Sequence, residues 1–314
     1  MLDTSRFHRG VNLPWISYGC DFGRNAWQPG GGLSARGVSD QAKQLFDQLA
    51  RANATLVRWF LFTDGRAGIR FAGDEPAGVD DFLIPDVEVA LDVAHTCGVE
   101  ILFTLFDFHW CQPAQMTNGV QLGGHARVLS ESGLRAALME NVVAPLFRSV
   151  GNHPNIAGWD VINEPEWVTA RVRRWFLWSG TPKRHMRQFI NDVAGLAHEL
   201  TPHPVTVGSA SARWLGLVEG LDLDFYQVHW YDHIDGDRPP DISPALQKPV
   251  MLGEFPTKQS RYSADDFIAM SQRGGYFAAL PWSALATDVF SAGATDLERL
   301  LGRSDVARAE GSVT

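Results

Sequence analysis

Eight times along this chain a short apolar run of β-forming residues gives way to a loop or to a segment with helical spacing, and few folds accommodate that alternation. The candidate strands are Gly10–Trp15, Thr55–Phe62, Val99–Phe106, Ile156–Ile162, Val205–Gly208, Phe225–His229, Val250–Gly253 and Tyr276–Pro281. Candidate helices occupy Ser39–Ala52, Pro85–Thr96, Ser132–Val150, Pro182–Leu200, Ser263–Gln272 and Asp296–Leu301, with weaker patterns after the fifth and sixth strands. Eight strands in this order favour α/β architecture closed into a (β/α)8 barrel over an open doubly wound sheet. The length of 314 residues exceeds the usual domain, but a barrel commonly runs to about 250 or more. Neither an internal repeat nor a low-complexity linker interrupts the pattern, so a single domain over residues 1–314, with elaborated βα loops, is expected.

Local chemistry supports several boundaries. Ser39 beside Asp40, and Ser263 beside Asp265 and Asp266, are N-cap candidates with acidic neighbours that suit the helix dipole. Thr181 precedes Pro182, which the pattern places at a first helical position. Gly98 reads as a C-terminal stop. The run Gly30-Gly31-Gly32 follows the first strand without opening a helix as GxGxxG would, and a flexible active-site loop is expected there rather than a phosphate cradle.

A net charge of −9 argues against a nucleic-acid partner, and the densest basic patch, Arg171, Arg173 and Arg174, reads as a solvated loop face. Three cysteines, Cys20, Cys97 and Cys111, have neither disulfide nor zinc spacing. No run approaches the roughly 18 apolar residues of a membrane span, and the first residues lack the apolar core of a secretion signal. No membrane partner is therefore expected, and the chain as it stands reads as cytoplasmic, or as secreted if a leader has been removed.

Two of the apolar runs stop at a glutamate: Trp159-Asp160-Val161-Ile162-Asn163-Glu164-Pro165 and Val250-Met251-Leu252-Gly253-Glu254-Phe255. A buried parallel strand reaches the open face of its sheet at such a point, and barrel active sites lie at the C-terminal strand ends. Two carboxylates delivered there are the equipment for cleaving glycosidic bonds, one as acid and base and the other as nucleophile. The other strand ends deliver Arg58 from the second strand, Asp107 and His109 from the third, Asn163 from the fourth, His229 and Tyr231 from the sixth, and Trp282 from the eighth. Each alone has an ordinary structural explanation, such as a satisfied core histidine, an arginine paired with a core carboxylate, or tryptophans (Trp59, Trp110, Trp230) that simply pack. Convergence in strand order outweighs these.

With this set the chain resembles glycoside hydrolases of the retaining (β/α)8 clan, most closely family 5, which includes cellulases and mannanases. The family pattern maps onto Arg58, His109, Asn163-Glu164, His229-Trp230-Tyr231, Glu254 and Trp282, and spans Gly10 to about Trp282. The resemblance implies a retaining hydrolase of β-linked glucosides or mannosides, with Glu164 as acid/base and Glu254 as nucleophile. It implies Arg58 and Tyr231 beside Glu254, His229 on Glu164, Asn163 at the sugar 2-hydroxyl, His109 on substrate hydroxyls and Trp282 as a stacking floor. It implies no cofactor and no metal, and a carbohydrate as the partner; oligomeric state does not follow.

Eleven tryptophans suggest aromatic sugar contacts around such a site. Trp15, Tyr18 and Trp27 share the first loop with Asp21 and Asn25, and Trp110-Cys111-Gln112 extends the third strand's end. The loop 166–178, with Trp167, Trp175 and Trp178, is a platform for outer sugars, a rim plug or a protein contact. Long loops lean toward a pocket and a short or exo-cleaved substrate. His153, His185, His198, His203 and His233 lack metal-ligand spacing. Two readings compete: an inactive carbohydrate-binding barrel, which the two glutamates disfavour, and a metal-dependent hydrolase using His109, His229 and Asp107.

Overall fold

The computed structural model of the protein describes residues 2–35, 37–170, 180–236, 246–285, 288–291 and 301. Eight parallel strands close into a barrel: β1 (His8–Leu13), β2 (Leu56–Phe60), β3 (Glu100–Asp107), β4 (Ile156–Asn163), β5 (Val205–Ser209), β6 (Tyr226–His229), β7 (Val250–Pro256) and β8 (Ala278–Trp282). Neighbours follow chain order round the ring, and β1 closes it by pairing with both β2 and β8. Every candidate strand is present, with ends shifted by a few residues.

The period of two along each strand sorts its side chains. On β2, Val57 and Trp59 point outward to the layer shared with the helices, whereas Leu56 and Arg58 point into the barrel. The lower interior is an apolar plug of Leu56, Leu102, Ala157, Met251 and Leu280, packed with Phe225 and Phe277. Two or three residues further along the same strands the interior turns polar, with Arg58, Thr104, Asp160 and Gln227 all fully buried. That change of lining, from hydrocarbon to charge, marks the catalytic end of a barrel.

The outer helices follow from spacing. Val38–Arg51 buries Ala42, Leu45, Phe46 and Leu49, and Lys183–Leu200 buries Met186, Phe189, Ile190, Val193, Ala194 and Ala197, both i, i+3/i+4 stripes. Each large side chain so buried contributes about 1.5–3 kcal/mol. Ser263 caps Ala264–Arg273 in a capping box with Asp266, and Gly98 ends Leu83–Cys97 in the left-handed conformation at φ 68°. Two other boundary expectations need correction. The helix expected to start at Ser39 begins at Val38 after Gly37, which leaves Ser39 inside the first turn. Pro182 is the N-cap residue of its helix rather than the first helical one.

The segment Ser132–Val150 is helical throughout but passes through a π turn at Met139–Val143. Two hairpins, Ile69–Ala72 with Glu75–Val79 and Gln115–Thr117 with Val120–Leu122, went unforeseen because three to five residues offer too little pattern. Within the glycine run Gly30 is exposed, but Gly31 and Gly32 are packed rather than part of a flexible active-site loop. Gly32 and Ser34 donate their N–H groups to Asp86, and a Cβ on Gly32 would fall 2.0 Å from the Asp21 carbonyl. The Asp296 helix, the arginine patch and loop residues 171–178 lie outside the described residues except for Leu301. The three cysteines are free, and no described helix is long and apolar enough to cross a membrane.

Candidate active site

Arg58 organises the site from the centre of the barrel. All five of its N–H groups are used: Nε and Nη2 donate to Asp160 Oδ2 at 2.9 and 2.7 Å, Nη2 to Asn163 Oδ1 at 2.7 Å, and Nη1 to Asn12 Oδ1 at 3.0 Å and Glu254 Oε2 at 3.2 Å. Asp160, fully buried, also accepts from Thr104, the Gly208 N–H and Gln227. Gly208 has to be glycine here: a Cβ would stand 2.7 Å from Arg58 Nη2 and 2.6 Å from Gln227 Nε2. Such a buried, fully bonded ion pair holds geometry more than it adds stability.

Glu164 follows the last residue of β4, and its own N–H donates to the Gly208 carbonyl at 2.7 Å. Its backbone is left-handed, φ 47° and ψ 51°, a conformation costing a glutamate about 1–3 kcal/mol that the surrounding bonds must hold. Pro165 then starts a single 3-10 turn that carries Trp167 back, so that its Nε1–H donates to Glu164 Oε2 at 2.6 Å. The other oxygen, Oε1, lies 2.8 Å from His229 Nδ1. Gln227 Nε2 donates to Asp160, so it is an amide nitrogen, and the same nitrogen approaches His229 Nε2 at 3.4 Å. That leaves Nε2 as acceptor and places the imidazole proton on Nδ1, facing Glu164. Burial drives His229 down to about 4, so it is neutral. Burial also lifts Glu164 to about 7, against the lowering effect of the Trp167 bond.

Glu254, on β7, has a different setting. Tyr231 Oη donates to its Oε1 at 2.5 Å, and Arg58 lies on Oε2. Burial raises its pKa, and the Glu164 charge adds to this when present, while Arg58 and the Tyr231 bond pull it back. Glu164, His229 and Glu254 each offer a ligand atom within 4.8 Å of the others. These are atoms a cation could use, but Trp167, Tyr231 and Arg58 already aim protons at the same carboxylates. The metal set considered from sequence is divided instead: His109 Nδ1 bonds Asp107 and His229 bonds Glu164.

A cavity of about 400 Å³ opens over both glutamates, and Asn163, His109, Tyr231, Trp282, Trp167 and Trp15 reach it. Asn163 spans Arg58 and Asp107, donating to the latter at 2.8 Å. Burial alone would lower His109, but its bond to Asp107 and that residue's charge reverse the sign and raise its pKa. Trp282 donates its Nε1–H to Asp288 at 2.8 Å. Trp110 and Trp230 are not sugar contacts. Trp110 is fully buried against Phe106 and His125, and Trp230 packs on Phe267 and Tyr262. On the first loop Asp21 is likewise structural, accepting from Ile16, Ser17 and Trp59.

Sequence reasoning missed the Asp160 anchor and Gln227, which sit mid-strand where no strand-end signal exists. It also missed Glu166, 1% exposed, whose Oε2 accepts from the Ala210 N–H at 3.1 Å. Phe108, His233 and Phe290, further cavity residues, lie on a short 3-10 helix, a single α-helical turn and a loop that no periodicity locates.

No family model matches the chain. It is similar to the mannan endo-1,4-beta-mannosidase of Mytilus edulis, 24% identical over 90% of this chain and 84% of that protein. A protein of the same name from Cryptopygus antarcticus is 22% identical over 98% of this chain and 89% of its own. Among solved structures, the endo-1,4-beta-mannanase of Eisenia fetida superposes with a TM-score of 0.79 at 20% identity, covering 94% of this chain and 90% of that one. The likeness to these mannanases runs along nearly the whole sequence, and the chain is a glycoside hydrolase with the same barrel fold.

Proposed function

We propose that the chain cleaves β-1,4-linked mannan internally by double displacement, with Glu164 as acid/base and Glu254 as nucleophile. The observation that carries the mechanism is the pair of carboxyl oxygens within 4.8 Å. Retaining enzymes hold their carboxyl groups about 5–5.5 Å apart, whereas inverting ones need about 6.5–9.5 Å to admit a water. The names of the two similar sequences support mannan and endo cleavage over the short or exo-cleaved substrate that long loops suggested.

In the first step Glu254 Oε attacks the anomeric carbon as the glycosidic C–O bond breaks, and Glu164 gives its proton to the leaving oxygen. A pKa of about 7 keeps Glu164 protonated for this at mildly acidic to neutral pH. Forming the glycosyl ester removes the charge on Glu254, which makes it easier for Glu164 to carry one as the base of the second step. Glu164 then takes a proton from water, the water oxygen attacks the same carbon, and Glu254 leaves as a carboxylate held by Arg58 and Tyr231. Asn163 keeps one amide hydrogen beyond its bond to Asp107 for the sugar 2-hydroxyl. Proton NMR of fresh mannan digests tests the scheme: the first-formed reducing ends are expected as the β-anomer, and α-anomer first would overturn it.

A further inference from the structure

A path of aromatic rings leads away from the carboxylates. Trp282 and Trp15 meet edge-on with centroids 6.4 Å apart, and Trp15 and Tyr18 at 4.3 Å. The Arg66 guanidinium continues it, 4.2 Å from the Tyr18 ring and 5.3 Å from that of Trp27. The first three rings line the catalytic cavity, and Trp27 lies beyond it. Tyr18 is 47% exposed and Trp27 39%, which makes them two of the four exposed large hydrophobic side chains among the described residues.

These rings are held open to solvent by a rigid foundation. Arg66 is buried and bound through two nitrogens to Asp64, at 2.8 and 2.5 Å, and its Nη1 donates to the Tyr18 carbonyl at 3.2 Å. Asn25 fastens the loop from the other side. Its Oδ1 accepts the N–H groups of Trp27 and Gln28 at 2.9 and 3.1 Å, and its Nδ2 donates to the Arg66 carbonyl at 3.2 Å. A tryptophan fixed in this way has little conformational entropy to lose on binding. Its face offers what the C–H face of a pyranose needs, and its continuity with the cavity through Tyr18 and Trp15 makes a saccharide, rather than a protein, the occupant.

We propose that Tyr18 and Trp27, braced by Arg66, form an outer subsite that binds a distal sugar of a polymeric substrate whose scissile bond lies between Glu164 and Glu254. The choice of mannan as that polymer rests on the substrate reading above. The test compares kcat/KM for mannohexaose with that for mannotriose, in wild type, Trp27→Ala and Trp27→Phe, each with its thermal transition recorded. The long-to-short ratio is expected to fall about tenfold in Trp27→Ala, through KM, with Trp27→Phe recovering most of it. Equal losses on both lengths, or no change in the ratio, would overturn the subsite. A wild type inert on every mannan would overturn the substrate reading instead. The same ratio measured on β-1,4-gluco-oligosaccharides would then decide the subsite by the same criterion.

Discussion

The ends of β4 and β7 each present a buried glutamate to one cavity, yet they treat its proton in opposite ways. Glu164 faces only neutral donors, the Trp167 indole and the His229 imidazole, and burial raises it to about 7. Glu254 meets a guanidinium at 3.2 Å and a phenol at 2.5 Å, which work against the same burial. Backbone differs as well: Glu164 sits in a left-handed turn beyond its strand, and Glu254 lies within an extended one. Buried carboxylates are thus separated in role by the formal charge of their nearest donors, not by depth.

Removing each side chain should break the comparison most visibly. Glu254→Ala is expected to lose turnover by about 10⁴-fold or more, since no group replaces the nucleophile. Added azide should restore reaction and yield a glycosyl azide. Glu164→Ala should lose about 10²–10⁴-fold on mannan but form the glycosyl-enzyme rapidly from aryl mannosides with good leaving groups, which need no proton. Burst kinetics with a dinitrophenyl mannoside would show this. If azide instead rescued Glu164→Ala to a product of the opposite anomeric form, the two roles would have to be exchanged.

A smaller effect is expected from Tyr231→Phe. Its loss removes one hydrogen bond from ionised Glu254 and leaves Arg58 in place. The pKa of Glu254 should rise further, so the acid limb of the kcat/KM profile moves up by about one pH unit. The basic limb, set by Glu164 losing its proton above about 7, should stay where it is. A shift of the basic limb alone would detach Tyr231 from Glu254.

How much of this was legible in the residues depends on where each one sits. A strand ending in a carboxylate announces itself, because an apolar run stops at a charge, and so the convergence of Arg58, Glu164, Tyr231 and Glu254 could be anticipated. Asp160 could not, because its meaning depends on which neighbour across the barrel fills the same layer. Trp110 and Trp230 misled for a related reason. Both follow strand-end residues, but their side chains turn outward to Phe106 and Phe267, and a sequence lists neighbours without saying which face they take. The hairpin at Ile69–Val79 was invisible because its strands are short and its pairing slips by one residue, from Arg70 opposite Gly78 to Phe71 opposite Pro76, which breaks any alternation.

Glu166 offers the finest test of how the β4 end handles protons. Two residues from Glu164, it is buried, and that burial, reinforced by the charge of Glu164, pushes it up to about 8. In the unfolded chain both glutamates titrate near about 4.3. At these two groups the folded state therefore binds more protons than the unfolded one above that value, and their contribution to stability is lost as pH rises: through about 7 for Glu164 and about 8 for Glu166. Glu166→Gln keeps an oxygen for the Ala210 N–H and has no proton to lose. Relative to wild type, its urea midpoint should gain steadily as pH rises between about 4.3 and 8 and stop gaining above that. Parallel curves for the two proteins would mean that Glu166 is ionised in the fold. An ionised Glu166 would add a charge to the β4 end, whose hold on protons could then no longer be credited to burial and neutral donors alone.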